Sequence, residues 1–422
     1  MVGVAVGLGN VWRFPYMVGR FGGAAFVVFY VLVVLVIGIP ALMTEWALGR
    51  ETRRGTVGAF AKGGLPFGRV AGWLLFAVVV AATAYYTNVV GWVVWYAVAG
   101  PAAAAGLPLE PTWVLPPDRG FAATSLLLQL ACTALVLLAC ALVLLRGLRR
   151  GIERTSLLVV PVLLVILLAL VGRALTLPGA GAGLEWYVLR FDPSDLSPRV
   201  MVAALGQAIF SLSLGGTFMV VYGSYLGAGE RLASSAGWTA AGDTAAGLLA
   251  GLAIFPAVFA LGKDPGSGPG LLFSTLPEVF ARIPLGWMFG LLFFAGLAGA
   301  AFLSALAALE VLIAGLTDNT RLPRRVATWA MTGLVFLMAV PPMLNMRVFV
   351  PWDLTFGSGM QVFGALLAAI TVGWAMERGR ALEALDAPPW LYLWIRYVIP
   401  VAILAVGVWW LATEVLKLAA SP

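Results

Sequence analysis

The chain of 422 residues has no histidine and only two cysteines. Without imidazole there is no histidine acid–base catalyst, no histidine-ligated zinc and no histidine-ligated haem. Cys132 and Cys140 sit eight residues apart in one apolar stretch, where cysteine acts as a small core residue rather than as half of a redox pair. Charge is scarce as well. Charged residues make up 11% of the chain against 62% hydrophobic, and mean hydropathy is +0.99, far from a soluble globule with roughly 25% charge. No Walker loop or nucleotide fingerprint is present, which argues against an ATP-driven pump. Glu45, Asp243 and Glu310 lie on separate apolar stretches without metal-ligand spacing, so the expectation is not an enzyme. No repeated filter or ring of like residues suggests a channel. No basic block alternates with aromatics as on a nucleic-acid surface.

Long apolar runs are what the chain has instead, each near the ~20 residues that cross a bilayer as helix. They predict spans near 10–20 (short), 24–48, 70–99, 122–145, 155–175, 200–226, 234–261, 285–316, 325–345, 355–376 and 392–416. The runs are continuous rather than alternating, so the fold class is all-α integral membrane, not a barrel. With the 50–69 loop inside, sixteen of the 26 basic residues fall on that side, which sets the orientation by the positive-inside tendency.

Two of the spans are broken. Met1-Val-Gly-Val-Ala-Val-Gly-Leu-Gly-Asn10 puts three glycines and an asparagine into an apolar run, with Arg13 close behind. Gly206-Gln-Ala-Ile-Phe-Ser-Leu-Ser-Leu-Gly-Gly-Thr217 does the same half a protein later. Either break alone also reads as small residues at a close helix contact. Two breaks, each opening a comparable five-span block, point to an inverted-repeat secondary transporter with its site at the breaks. One domain, 1–422, is expected, with repeats at 1–175 and 199–376 and an additional helix at 392–416.

The motifs Ala5-Val-Gly-Leu-Gly-Asn-Val-Trp-Arg-Phe-Pro15, Gly22-Gly23-Ala-Ala-Phe26, Gly38-Ile-Pro40 and Glu45-Trp-Ala-Leu-Gly-Arg50 resemble the opening of the neurotransmitter:sodium symporter family. Gly151-Ile-Glu-Arg154 with Pro161, Gly206-Gln207 followed by Phe210-Ser-Leu-Ser-Leu-Gly215, and Arg396-Tyr-Val-Ile-Pro400 continue it in the family's order. The bacterial amino-acid transporters, including the leucine transporter, are the most similar branch. The resemblance implies inverted five-helix repeats with broken helices 1 and 6, sodium-coupled symport of an amino acid by alternating access, and a multi-pass place in the bacterial inner membrane.

By the same resemblance the substrate carboxylate meets the amides of Leu8 and Gly9 and the hydroxyl of Tyr86, and the amino group meets Ala5, Phe210, Ser211 and Ser213. Gly216, Ser304 and Ala308 complete the pocket. Gly7 stands where monoamine transporters carry aspartate, so the substrate brings its own carboxylate. Ala82, Gly216 and Ala308 are smaller than their counterparts in the leucine transporter, implying a bulky hydrophobic or aromatic side chain. A first sodium site falls to Ala5, Asn10, Ser211 and Asp243; Asp243 also reads as a charge at a helix end. Tyr30, Gln207 and Ser211 match a chloride site, but Gly247 replaces its last serine, so chloride is expected not to be required.

The second sodium site is damaged. It would use Gly3, Val6, Ala300 and Ser304, with Leu303 at the usual threonine. The alternative register on Phe294-Ala-Gly-Leu297 gives Ala298 and Gly299 instead, and it too lacks the threonine hydroxyl. The outer gate maps to Arg13 and Asp353, with Gln207 beside it; the pair also reads as two separate interfacial charges. Tyr225 and Asp318 match the inner latch, whose arginine and half-helix have no counterpart, so the coding sequence is expected to continue upstream of Met1. A non-transporting amino-acid sensor is the alternative these departures raise.

Overall fold

The computed structural model describes residues 2–227, 229–266 and 271–412. Among them all regular structure is helical, the arrangement that satisfies every backbone group within its own segment inside hydrocarbon. Helix α1 is broken into Val2–Ala5 and 9–21. The long helices that follow are α2 (Gly23–Thr52), α4 (Gly68–Ala104), α5 (Ala123–Leu144) and α6 (Gly151–Leu175). Helix α8 is broken into Pro198–Ser211 and Phe218–Ser224. After it come α9 (Leu232–Ala260), α11 (Gly286–Asn319), α12 (Arg324–Met343), α13 (Met346–Ala375) and α15 (Pro389–Trp409). Nine of these, all but α1 and α8, are long and apolar enough to cross a membrane as single helices among the described residues.

Besides single 3-10 turns at Pro111–Val114 and Pro193–Asp195, four short helices lie outside the expected spans: α3 (Thr56–Lys62), α7 (180–189), α10 (271–282) and α14 (Arg378–Leu385). Each is too brief to register as a bilayer-length run. Helix α13 starts nine residues before the expected 355, because Asn345 caps it by accepting from Val348 N–H at 3.2 Å, a turn signal that hydropathy does not see. Residues 413–416 of the expected last span lie outside the described residues.

Helix pairing repeats between the two halves. Helix α1 packs on α9 as α8 packs on α2, α6 lies against α9 as α13 lies against α2, and α4 and α11 pair across the centre. That is the pattern of two inverted five-helix repeats. Lipid supplies no hydrophobic drive between helices, so close approach through small residues carries the packing. A Cβ added to Gly49 on α2 would stand 1.9 Å from the Val220 carbonyl oxygen on α8, and one on Gly364 of α13 would stand 1.7 Å from the Gly215 oxygen. Gly49→Val is therefore expected to cost about 1–3 kcal/mol through overpacking, read as a lower melting temperature of the purified protein. Gly100→Ala, with open space around it, should melt with the wild type. Equal melting of all three proteins would contradict this packing.

Candidate functional site

Each broken helix exposes backbone that must be satisfied at membrane depth. In α1 the Asn10 side chain folds back, its Oδ1 accepting from Gly7 N–H at 2.9 Å. Gln207 on α8 donates from Nε2 to the Gly9 carbonyl at 3.0 Å, tying the two breaks together. In α8 the Gly215 N–H donates to Glu45 Oε1 of α2 at 2.7 Å. Ser213 and Thr217 both take left-handed backbone, with φ of +55° and +58°, a strained choice for residues other than glycine.

Between the breaks lies a fully buried polar cluster. Asn10 Nδ2 donates toward Asp243 Oδ1 at 2.6 Å, the Asp243 carbonyl at 2.8 Å and Ser211 Oγ at 3.1 Å. Ser211 Oγ donates to Asp243 Oδ2 at 2.8 Å, and Tyr30 Oη reaches the same oxygen at 3.5 Å. Carboxylate, amide and hydroxyl oxygens within one hydrogen-bonded set suit a hard cation. A flip of the Asn10 amide, an orientation set by its bonding network, would turn Oδ1 toward the same point and give up its bond to Gly7 N–H. Gln207 Oε1 and Thr244 Oγ1 beside it are buried with no hydrogen-bond partner among the described residues.

Adjoining the cluster, Ala5, Gly7, Leu8, Gly9, Tyr86, Phe210, Ser211, Ser213, Ser304 and Ala308 line one cavity together with Ala82. The Tyr86 hydroxyl is buried there, close to Ser304 and the Leu8 amide. A Cβ on Gly7 would stand 2.2 Å from Ser304 Oγ, so any side chain at that position would have to displace the Ser304 hydroxyl. Gly216 is a correction. It does not line the cavity, because the Phe218 ring fills the space it leaves, 2.2 Å from where a Cβ would stand. Phe218, Thr83, Tyr85 and Gln361 also line the cavity. No motif pointed to them.

The model of the sodium:neurotransmitter symporter family matches residues 1–107 and 123–415. The chain belongs to this family. An uncharacterized sodium-dependent transporter of Bacillus subtilis, YhdH, is 32% identical over 96% of this chain and 93% of its own. A sodium-dependent transporter of Haemophilus influenzae is 30% identical over 96% and 94%. The crystal structure of MhsT in complex with L-phenylalanine superposes with a TM-score of 0.82 at 34% identity, covering 96% of both chains. The chain is thus a multi-pass member of a family of sodium-coupled transporters.

Toward the outside of the symporter, Arg13 and Asp353 line a vestibule of about 540 Å³. No ion pair joins them among the described residues; the Arg13 guanidinium instead lies 4.1 Å from the centre of the Phe210 ring. On the inside, the expected grouping of Tyr225 with Asp318 is corrected. Tyr225 Oη donates to Glu310 Oε1 at 2.9 Å, while Asp318 Oδ2 accepts from Gly55 N–H at 2.8 Å. The reason is that Arg324, at the start of α12, draws the buried Glu310 into a half-buried pair at 2.6 Å, and Tyr225 joins it. At the second sodium position, Leu303 Cδ1 stands 3.5 Å from a Cβ built on Gly3, and the Ser156 hydroxyl of α6 stands 2.7 Å from it. Val6 and Ala300 are buried nearby in sequence and packing. Leu303 supplies no oxygen, so the threonine is not replaced from its own helix.

Removing Arg324 leaves the Glu310 carboxylate buried and unbalanced. Arg324→Ala should destabilise by about 3 kcal/mol, the lower end for a pair whose arginine keeps some water. The double variant Glu310→Gln with Arg324→Met should lose much less. Thermal unfolding of the three purified proteins checks this, and an Arg324→Ala variant melting with the wild type would contradict it.

Proposed function

We propose that this symporter carries a neutral, bulky hydrophobic or aromatic amino acid into the bacterial cell together with sodium, by alternating access. The observation that carries the reading is the cavity in which the Leu8 and Gly9 backbone and the buried Tyr86 hydroxyl face apolar walls at Ala82 and Ala308. Exposed amides at a half-helix start suit a carboxylate, so Leu8, Gly9 and Tyr86 take that end of the substrate. Ala5, Phe210, Ser211 and Ser213 take the amino group. The L-phenylalanine held by MhsT supports the same ligand class. Arg13, Asp353 and Phe210 would close the outside over the substrate, and Tyr225 and Asp318 would work at the inner side through Glu310 and Gly55.

Sodium enters the reading through Ala5, Asn10, Ser211 and Asp243. A carboxylate at membrane depth costs about 3 kcal/mol on insertion scales, and a bound cation offsets that cost. The second site, Gly3, Val6, Ala300 and Ser304, contributes weakly because Leu303 brings no ligand. One working sodium site is the simplest stoichiometry.

Binding competition in sodium buffer tests the substrate. Tryptophan, phenylalanine and leucine should displace a labelled aromatic amino acid at lower concentrations than alanine, each buried methylene being worth about 0.8 kcal/mol. Alanine displacing the label better than tryptophan would overturn the side-chain preference.

Asp243 supplies beside the sodium the negative charge that a bound chloride supplies in chloride-dependent relatives. Gly247 agrees with this: the Phe14 ring lies 3.4 Å from a Cβ built there, leaving apolar contact in place of a hydroxyl. Wild-type uptake should therefore persist when chloride is replaced by gluconate. Asp243→Asn should weaken sodium affinity by about tenfold or more, a loss of about 1.4 kcal/mol or more, or make activity depend on chloride. Wild-type uptake that vanishes in gluconate would refute the assignment.

A further inference from the structure

Phe218 belongs to none of the family motifs in the sequence, yet its ring reaches the substrate cavity and packs against both of the large hydrophobic clusters of the molecule. Three features put it there. Gly216 has no side chain, and a Cβ at that position would lie 2.2 Å from Phe218 Cε2 and 2.5 Å from Cδ2. Thr217 turns the backbone left-handed, with φ of +58° and ψ of 7°, which folds residue 218 back over residue 216. That strained turn is held by a buried hydrogen bond of 2.8 Å between the hydroxyls of Thr217 and Thr56. Thr56 opens α3, and the preceding Gly55 N–H is bound by Asp318 of α11. The ring is thereby tied to the inner surface of the protein.

We propose that Phe218 is the residue that sets which substrate side chains fit, and that the Thr56–Thr217 hydrogen bond is what positions it. The inference rests on the amino-acid reading above and deepens it: the pocket opened by Ala82 and Ala308 is closed again from one side by an aromatic ring. A ligand side chain then packs against the face or edge of that ring, a contact available to leucine, phenylalanine and tryptophan but not to alanine. Thr217 touches no ligand in this account and acts only through Phe218.

The test is equilibrium competition of leucine and tryptophan on the purified full chain in nanodiscs with sodium. In the wild type both displace the label. In Phe218→Ala the ring is gone, so leucine affinity should fall at least about tenfold while tryptophan, large enough to fill the vacated space, changes less. Phe218→Leu, which keeps the volume apolar and decides the matter if the alanine variant does not fold, should shift the ratio in the same direction by a smaller factor. Thr217→Ala should move the leucine-to-tryptophan ratio as Phe218→Ala does, and Thr217→Ser, which keeps the hydroxyl, should restore the wild-type ratio. A merely structural role for Thr217 would lower both affinities together and leave the ratio alone, overturning the positioning role. Ratios within about twofold of wild type in both Phe218 variants would overturn the whole inference. A wild type that binds no amino acid in sodium would instead bring down the reading on which the inference rests.

Discussion

Backbone that leaves the helix at membrane depth has to find its partners inside the protein, and the architecture of this symporter follows from that constraint. A partnerless amide or carbonyl in hydrocarbon costs several kcal/mol. Two helices are nonetheless broken, and the freed groups are met by side chains from the break itself and from neighbouring helices. Asn10 closes the α1 break from within, Gln207 bridges from α8 to Gly9, and Glu45 reaches from α2 to Gly215. The groups left over line a cavity. The breaks are affordable because neighbouring helices hold them, and those helices lie close because glycines such as Gly49, Gly215 and Gly364 carry no side chains.

Charge is handled by the same logic. Asp243 is fully buried and meets only amide and hydroxyl partners among the described residues, so no side chain there balances its charge. Glu310 is equally buried but has Arg324, so its charge is balanced within the protein. One buried carboxylate thus lacks a charged partner, which is what the proposed sodium site requires, while the other fastens α11 to α12.

Much of this was legible in the sequence. Glycines with Asn10 inside one apolar run, and Ser211, Ser213, Gly215 and Gly216 inside another, mark the two breaks, and their placement half a protein apart marks the inverted repeat. Asn10, Ser211 and Asp243 were grouped by resemblance before any distance was known, and they do lie within hydrogen-bonding reach of one another. The misses have physical causes. Phe218 reaches the cavity only because Thr217 adopts a backbone that threonine rarely takes, which no propensity signals. The resemblance groups Tyr225 with Asp318, and the pairing of Glu310 with Arg324 that draws Tyr225 away depends on how α11 and α12 pack against each other, which no motif carries. Thr56 gained its role from α3, too short to stand out among bilayer-length runs.

The central claim is that the cavity between the breaks and the Asn10–Ser211–Asp243 cluster together couple an amino acid to sodium. Uptake of radiolabelled L-tryptophan into proteoliposomes, with and without an inward sodium gradient, tests it most directly. Accumulation above the external concentration with the gradient, and its loss when sodium is equal on both sides, is the result expected. Binding in sodium without accumulation would contradict the claim and favour a protein that senses amino acids rather than carrying them.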